Sequence, residues 1–242
     1  MATLAAAGAL LLAVPARAAN VEISWDRDVA FEWDRDNYEK TLGAIVRSSH
    51  DEVSAWLGWP LSRPLHVHVL TRARYEAQFG SAAAGSLGAH YSGGAIWVNG
   101  GARLNGWFEG LMVHETTHAF LDDRGTGARL PTWVNEGLAE RLGYRRQGQQ
   151  SLTTTQVTQL EDGLEHRLLT PLPVRGQLSR FGYLQSFASI LYLEQKLGKE
   201  QLLRIVRRTM EKDTFEQALD AEARLSIGQL EEGFRYWVDH LQ

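Results

Sequence analysis

Residues Asn105–Leu121 read NGWFEGLMVHETTHAFL, and this stretch decides the fold class. Asn105 is a strong helix N-cap, and Gly125 and Gly127 lie just past the far end. Between them, Trp107, Phe108, Leu111, Met112, Val113, Ala119, Phe120 and Leu121 cover most of the helix circumference. A helix apolar nearly all round is a buried one. His114, Glu115 and His118 interrupt it. Burying two imidazoles and a carboxylate is costly unless a metal or a hydrogen-bond network satisfies them. Residues four apart share a helix face, so both imidazoles can point at one ion at tetrahedral zinc distances, with Glu115 beside them.

The next segment offers a third ligand. Pro131 suits a helix first turn, and the pattern LPTWVNEGLAE carries a helix on to about Gly143. An antiparallel return brings Glu136 to the two histidines. His, His and Glu leave a fourth position open, the arrangement of a catalytic zinc. Glu140, four residues after Glu136, shares its face and is placed to hold the far nitrogen of His114; an ordinary surface glutamate is the alternative. Asp122, four residues after His118, is a similar candidate for that side, with a plain helix-end aspartate as the alternative.

Working outward, Tyr38–Leu57 has helical spacing and is stopped by Gly58 and Pro60. Leu65–Leu70 alternates apolar residues with His66 and His68, as a half-exposed strand does. Residues 80–94 are rich in Gly, Ala and Ser and read as a loop, and Gly94–Asn99 as a short strand. That strand is expected at the edge of the sheet, with Ile96, Val98 and Asn99 offered to an extended peptide, or else covered by the loop. Beyond a polar stretch (145–180), Phe181–Leu197 is an apolar helix closed by Gly198, and helical patterns recur at 200–210, 213–222 and 226–240. The expected fold is therefore α+β, with a mixed lobe over about 20–143, a helical lobe over about 144–242, and a cleft between them.

Composition narrows the function. The 242 residues are 44% hydrophobic and 22% charged, which excludes wholesale disorder and fibrous classes. A net charge of −4 supplies no basic field for nucleic acid. With no cysteine, disulfides, thiolate-bound zinc and thiol catalysis are all excluded. Leu4–Val14 is apolar but too short to span a bilayer, and Ala16-Arg17-Ala18 offers a small-x-small cleavage site. Residues 1–18 are thus expected to be a signal peptide. The remainder, 19–242, is expected to be one periplasmic or extracellular domain with no stable membrane insertion.

HETTH followed by LPTWVNEGLAE resembles the gluzincin zinc metallopeptidases, in particular the bacterial peptidase-MA-like domains, and more distantly thermolysin and the zinc aminopeptidases. The resemblance runs from about Pro64 to Trp237. It implies a zincin-like two-lobed fold, one zinc per chain, His114, His118 and Glu136 as ligands and Glu115 as general base. Phe181-Gly-Tyr183-Leu-Gln-Ser-Phe187 resembles the family's tyrosine-containing helix, which makes Tyr183 the leading oxyanion donor. His90 and Tyr91 on the Gly-rich segment are its competitors, and a core tyrosine packed on Leu184 and Phe187 is the plainer alternative. Seventeen residues separate His118 from Glu136, one fewer than in the zinc aminopeptidases, a change that falls in the Gly125–Gly127 loop. The aminopeptidase G-x-M-E-N type motif is absent before the metal helix, which favours an endopeptidase. The implied activity is zinc-dependent hydrolysis of a peptide or protein. Two alternatives use the same residues: a non-catalytic binding or scaffold domain, and a zinc amidase acting on a cell-wall amide.

Overall fold

The computed structural model describes residues 20–26, 35–80, 88–123, 129–169 and 175–241. The expected signal peptide (1–18) lies outside them. Among the described residues the chain runs β1 (Val21–Trp25), α1 (Arg35–Leu57), β2 (Leu65–Leu70), α2 (Arg72–Phe79), β3 (Ala89–Ser92) and β4 (Ala95–Asn99). Helices follow: α3 (Gly106–Leu121), α4 (Thr132–Arg146), α5 (Thr154–Glu165), α6 (Arg180–Leu197), α7 (Lys199–Glu211), α8 (Phe215–Ala223) and α9 (Ile227–Asp239). The class is α+β, with one small mixed sheet.

The sheet order is β1-β2-β4-β3. The first three strands are parallel and β3 runs antiparallel to β4. The hairpin between β3 and β4 turns on Gly93 (φ +60°) and Gly94 (φ +85°), the pair of positive values that a type I′ turn needs. The expectation that β4 forms the sheet edge is therefore wrong. It is paired on both sides, with Ile96 and Val98 fully buried and Asn99 only 5% exposed. The edges are β1 and, beyond β4, β3, a four-residue strand hidden within the Gly-rich stretch that reads as a loop.

Strand β2 alternates as its sequence predicts. Leu65, Val67 and Val69 point inward and pack with Leu42, Ile45 and Val46 of α1 and with Phe108 and Met112 of α3. His66 and His68 occupy the other face. His66 Nδ1 lies 3.2 Å from Glu22, and His68 Nδ1 lies 2.5 Å from Ser24 Oγ.

Helix α3 is apolar nearly all round because it belongs to two cores. Phe108, Met112 and Ala119 face the sheet. Val113, Phe120 and Leu121 join Trp133, Val134, Leu138 and Leu142 of α4 and the helices beyond, together with Val53, Trp56 and Leu57 at the end of α1. Helix α4 does not stop near Gly143. It runs on to Arg146, and Gly143 is the point where it crosses α3: a Cβ there would lie 3.0 Å from the Gly110 carbonyl oxygen. On its other side α4 meets α6 at Gly137, where a Cβ would lie 2.5 Å from Ser186 O. These two close approaches lock the helix that carries Glu136.

The polar stretch 145–180 also holds a helix, α5. A capping box starts it: Thr153 accepts from the Gln156 N–H while the Gln156 side chain accepts from the Thr153 N–H. Among the described residues, no helix is long and apolar enough to cross a membrane.

Candidate metal centre

The centre is built on α3. The Asn105 side chain accepts from the Phe108 N–H at 3.0 Å and starts the helix in register. Two turns on, one face presents His114 and His118, their Nε2 atoms 3.0 Å apart. Helix α4 runs antiparallel to α3: Gly143 meets Gly110, Glu140 meets His114, and Asn135 meets His118. This return places Glu136 Oε2 3.5 Å from His114 Nε2 and 3.4 Å from His118 Nε2. Three ligands bound to tetrahedral zinc at about 2.0–2.1 Å sit about 3.3 Å from one another. The triangle of 3.0, 3.4 and 3.5 Å fits that requirement.

The outer nitrogens are oriented to match. His118 Nδ1 donates to Asn135 Oδ1 at 2.8 Å, which leaves the Nε2 lone pair directed into the triangle. His114 Nδ1 faces Glu140 Oε1 at 3.6 Å, as the spacing of Glu136 and Glu140 predicts. Two bare imidazole nitrogens and a carboxylate oxygen cannot converge this closely without a cation or a proton among them. In the metal-free chain a proton takes that place. Burial disfavours charge on His118, but the hydrogen bond and charge of Glu136 outweigh it and raise the imidazole to about 9. Burial likewise opposes ionisation of Glu136, yet His114 and His118 hold it well below the usual carboxylate range. Glu140 moves the other way, raised chiefly by burial.

The geometry corrects the role expected of Asp122. It does not support His118, whose Nδ1 points across to α4 rather than down its own helix. Asp122 Oδ2 instead accepts from the Tyr91 hydroxyl at 2.7 Å and lies 3.9 Å from Arg63 Nη2. Asn135, which helical spacing from His118 does not single out, takes the place beside His118. Its signal was a lone amide among Trp133, Val134 and Leu138, one residue before the third ligand.

Glu115 is 6% exposed and comes from the same turn as the histidines. Its Oε2 accepts from the main-chain N–H of Tyr91 at 2.6 Å. The ladder explains this contact. The Asn99 N–H bonds to Gly88 O, so alternation along an antiparallel pair turns the polar groups of Ala89 and Tyr91 to the open edge. That edge faces α3.

Tyr183 stands in the first turn of α6, 36% exposed, and its hydroxyl makes no hydrogen bond to another described residue. Burial, and then the charges of Glu136, Glu140 and Glu115, push it up to about 12, so the phenol lies within electrostatic reach of all three carboxylates. Its competitors are occupied. The Tyr91 hydroxyl donates to Asp122. His90 faces the other side of β3, with Nδ1 2.7 Å from the Tyr75 hydroxyl and its ring edge-on to Phe79.

The site residues thus come from α3, α4, α6 and β3. His114, His118, Glu136, Glu115 and Glu140 are brought together, and the three carboxylates act electrostatically on Tyr183, whereas Ile96, Val98 and Asn99 are buried in the sheet and Asp122 serves Tyr91. Comparison with known proteins adds no relative: no family model matches the chain, and no curated protein matches it.

Proposed function

We propose that this chain is a zinc-dependent metallopeptidase of the gluzincin type, with the two-lobed zincin arrangement, acting outside the cytoplasm on peptide or protein substrates. One observation carries the proposal: His114 Nε2, His118 Nε2 and Glu136 Oε2 converge at zinc-like spacing, with the Glu115 carboxylate on the same helix turn. Zinc bound there would activate water and polarise a scissile carbonyl. Glu115, anchored at one oxygen by the Tyr91 amide, takes the proton of the attacking water and passes it to the leaving amine. Tyr183 donates to the oxygen that gains charge in the transition state.

The test is direct. Purified protein carries about one zinc per chain, cleaves casein when loaded, and loses both properties in Glu136→Ala. Failure to take up zinc overturns the metal site. Full zinc with no cleavage of casein or of other peptide or cell-wall amides supports the binding-domain alternative instead.

A further inference from the structure

Asp122, the C-cap of α3, lies seven residues after Glu115, two turns further along the same side of the helix. Tyr91 spans them. Its main-chain N–H donates to Glu115 Oε2 at 2.6 Å, and its hydroxyl donates to Asp122 Oδ2 at 2.7 Å. Arg63, in the turn before β2, donates from Nη2 to the same hydroxyl oxygen at 3.1 Å. The corner is braced further by Asp123, which accepts from the Ser62 N–H at 2.9 Å and the Ser62 hydroxyl at 2.7 Å, with Arg63 Nε 4.0 Å away. The phenol therefore has its proton committed to one carboxylate and its oxygen engaged by a guanidinium.

This arrangement meets a mechanical need. Strand β3 has four residues and a ladder on one side only. Short edge strands open at little cost. Yet this strand supplies the one main-chain donor seen on Glu115 among the described residues. The charged hydrogen bonds at the tyrosine hydroxyl are stronger than neutral ones and pin the strand to α3 from its side-chain end.

We propose that Tyr91 is a positioning residue for Glu115: the Arg63–Asp122 clamp on its hydroxyl holds β3 against α3, so that the Tyr91 amide fixes one carboxylate oxygen and leaves the other for proton transfer. The inference rests on the peptidase reading for its catalytic consequence, but the clamp itself is observable without turnover.

Tyr91→Phe keeps the ring and removes the clamp. Amide hydrogen exchange at position 91 then rises about 10-fold or more. In the zinc-loaded protein kcat falls about 10-fold while KM stays within about 2-fold, because orientation rather than binding is lost. Zinc content is unchanged. Asp122→Asn, whose amide oxygen still accepts from the phenol, retains most of kcat, whereas Asp122→Ala behaves like Tyr91→Phe. The double variant Tyr91→Phe/Asp122→Ala has the kcat of Tyr91→Phe alone, the sign of one shared interaction. Unchanged exchange at position 91 in Tyr91→Phe overturns the clamp. An active wild type whose Tyr91→Phe variant keeps full kcat overturns the positioning role. A wild type that cleaves nothing contradicts the peptidase reading, and the exchange measurement then decides the clamp alone.

Discussion

The Nε2 atoms of His114 and His118 face each other across 3.0 Å, with Glu136 Oε2 closing the triangle. Neutral imidazoles are what zinc requires, but in the metal-free chain Glu136 keeps His118 charged up to about 9, against the pull of burial. Zinc binding must then expel that proton. At about pH 7.5, titration calorimetry in buffers of different ionisation enthalpy should show about one proton released per zinc. The release should vanish when the pH is raised well past the His118 value. Binding with no proton release at neutral pH would contradict the charged state of the empty triangle.

The Tyr183 hydroxyl has no hydrogen-bond partner among the described residues, and burial, then the charges of Glu136, Glu140 and Glu115, push it up to about 12 and keep it protonated. An oxyanion donor matters mainly in the transition state. Tyr183→Phe should therefore lower kcat by about 10²-fold with little change in KM, zinc content or melting temperature. A variant that instead loses stability and keeps kcat would assign the ring to packing.

The fit of α4 against α6 depends on Gly137. A Cβ there would lie 2.5 Å from Ser186 O and 2.7 Å from the Ile190 side chain, and a backbone oxygen cannot swing aside. Gly137→Ala should cost about 1–3 kcal/mol, read as a lower urea midpoint at unchanged m-value. Gly106→Ala is the control, since its Cβ meets no heavy atom within 4 Å among the described residues. Equal stability of the two variants would contradict the close helix contact.

What was legible in the sequence was what depends on one helix at a time. The Asn105 cap, the apolar circumference of α3 and the four-residue step from His114 to His118 follow from helical geometry alone. Glu136 and Glu140 were legible because they share a face of the very next helix. Contacts set by the docking of separate elements were not. Asn135 reaches His118 only through the antiparallel crossing of α3 and α4 at Gly110 and Gly143. Asp122 has the right spacing from His118, but the imidazole points elsewhere. Strand β3 was hidden because Ala89, His90, Tyr91 and Ser92 make an alternation of four residues, too short to stand out from the Gly, Ala and Ser around it, and without it β4 reads as the edge. Helix α5 is mostly exposed, and its signals are few: a narrow stripe of Val157, Leu160 and Leu164 and the capping box of Thr153 and Gln156, set in an otherwise polar stretch.

Cleavage of casein by the zinc-loaded wild type, measured beside Glu115→Gln, tests the central claim most directly. Glu115 is not among the three converging ligand atoms, so the variant should keep its zinc. The wild type should cleave, and Glu115→Gln should be slower by about 10²-fold or more at the same zinc content. A zinc-loaded Glu115→Gln protein that cleaves as fast as the wild type would contradict the account.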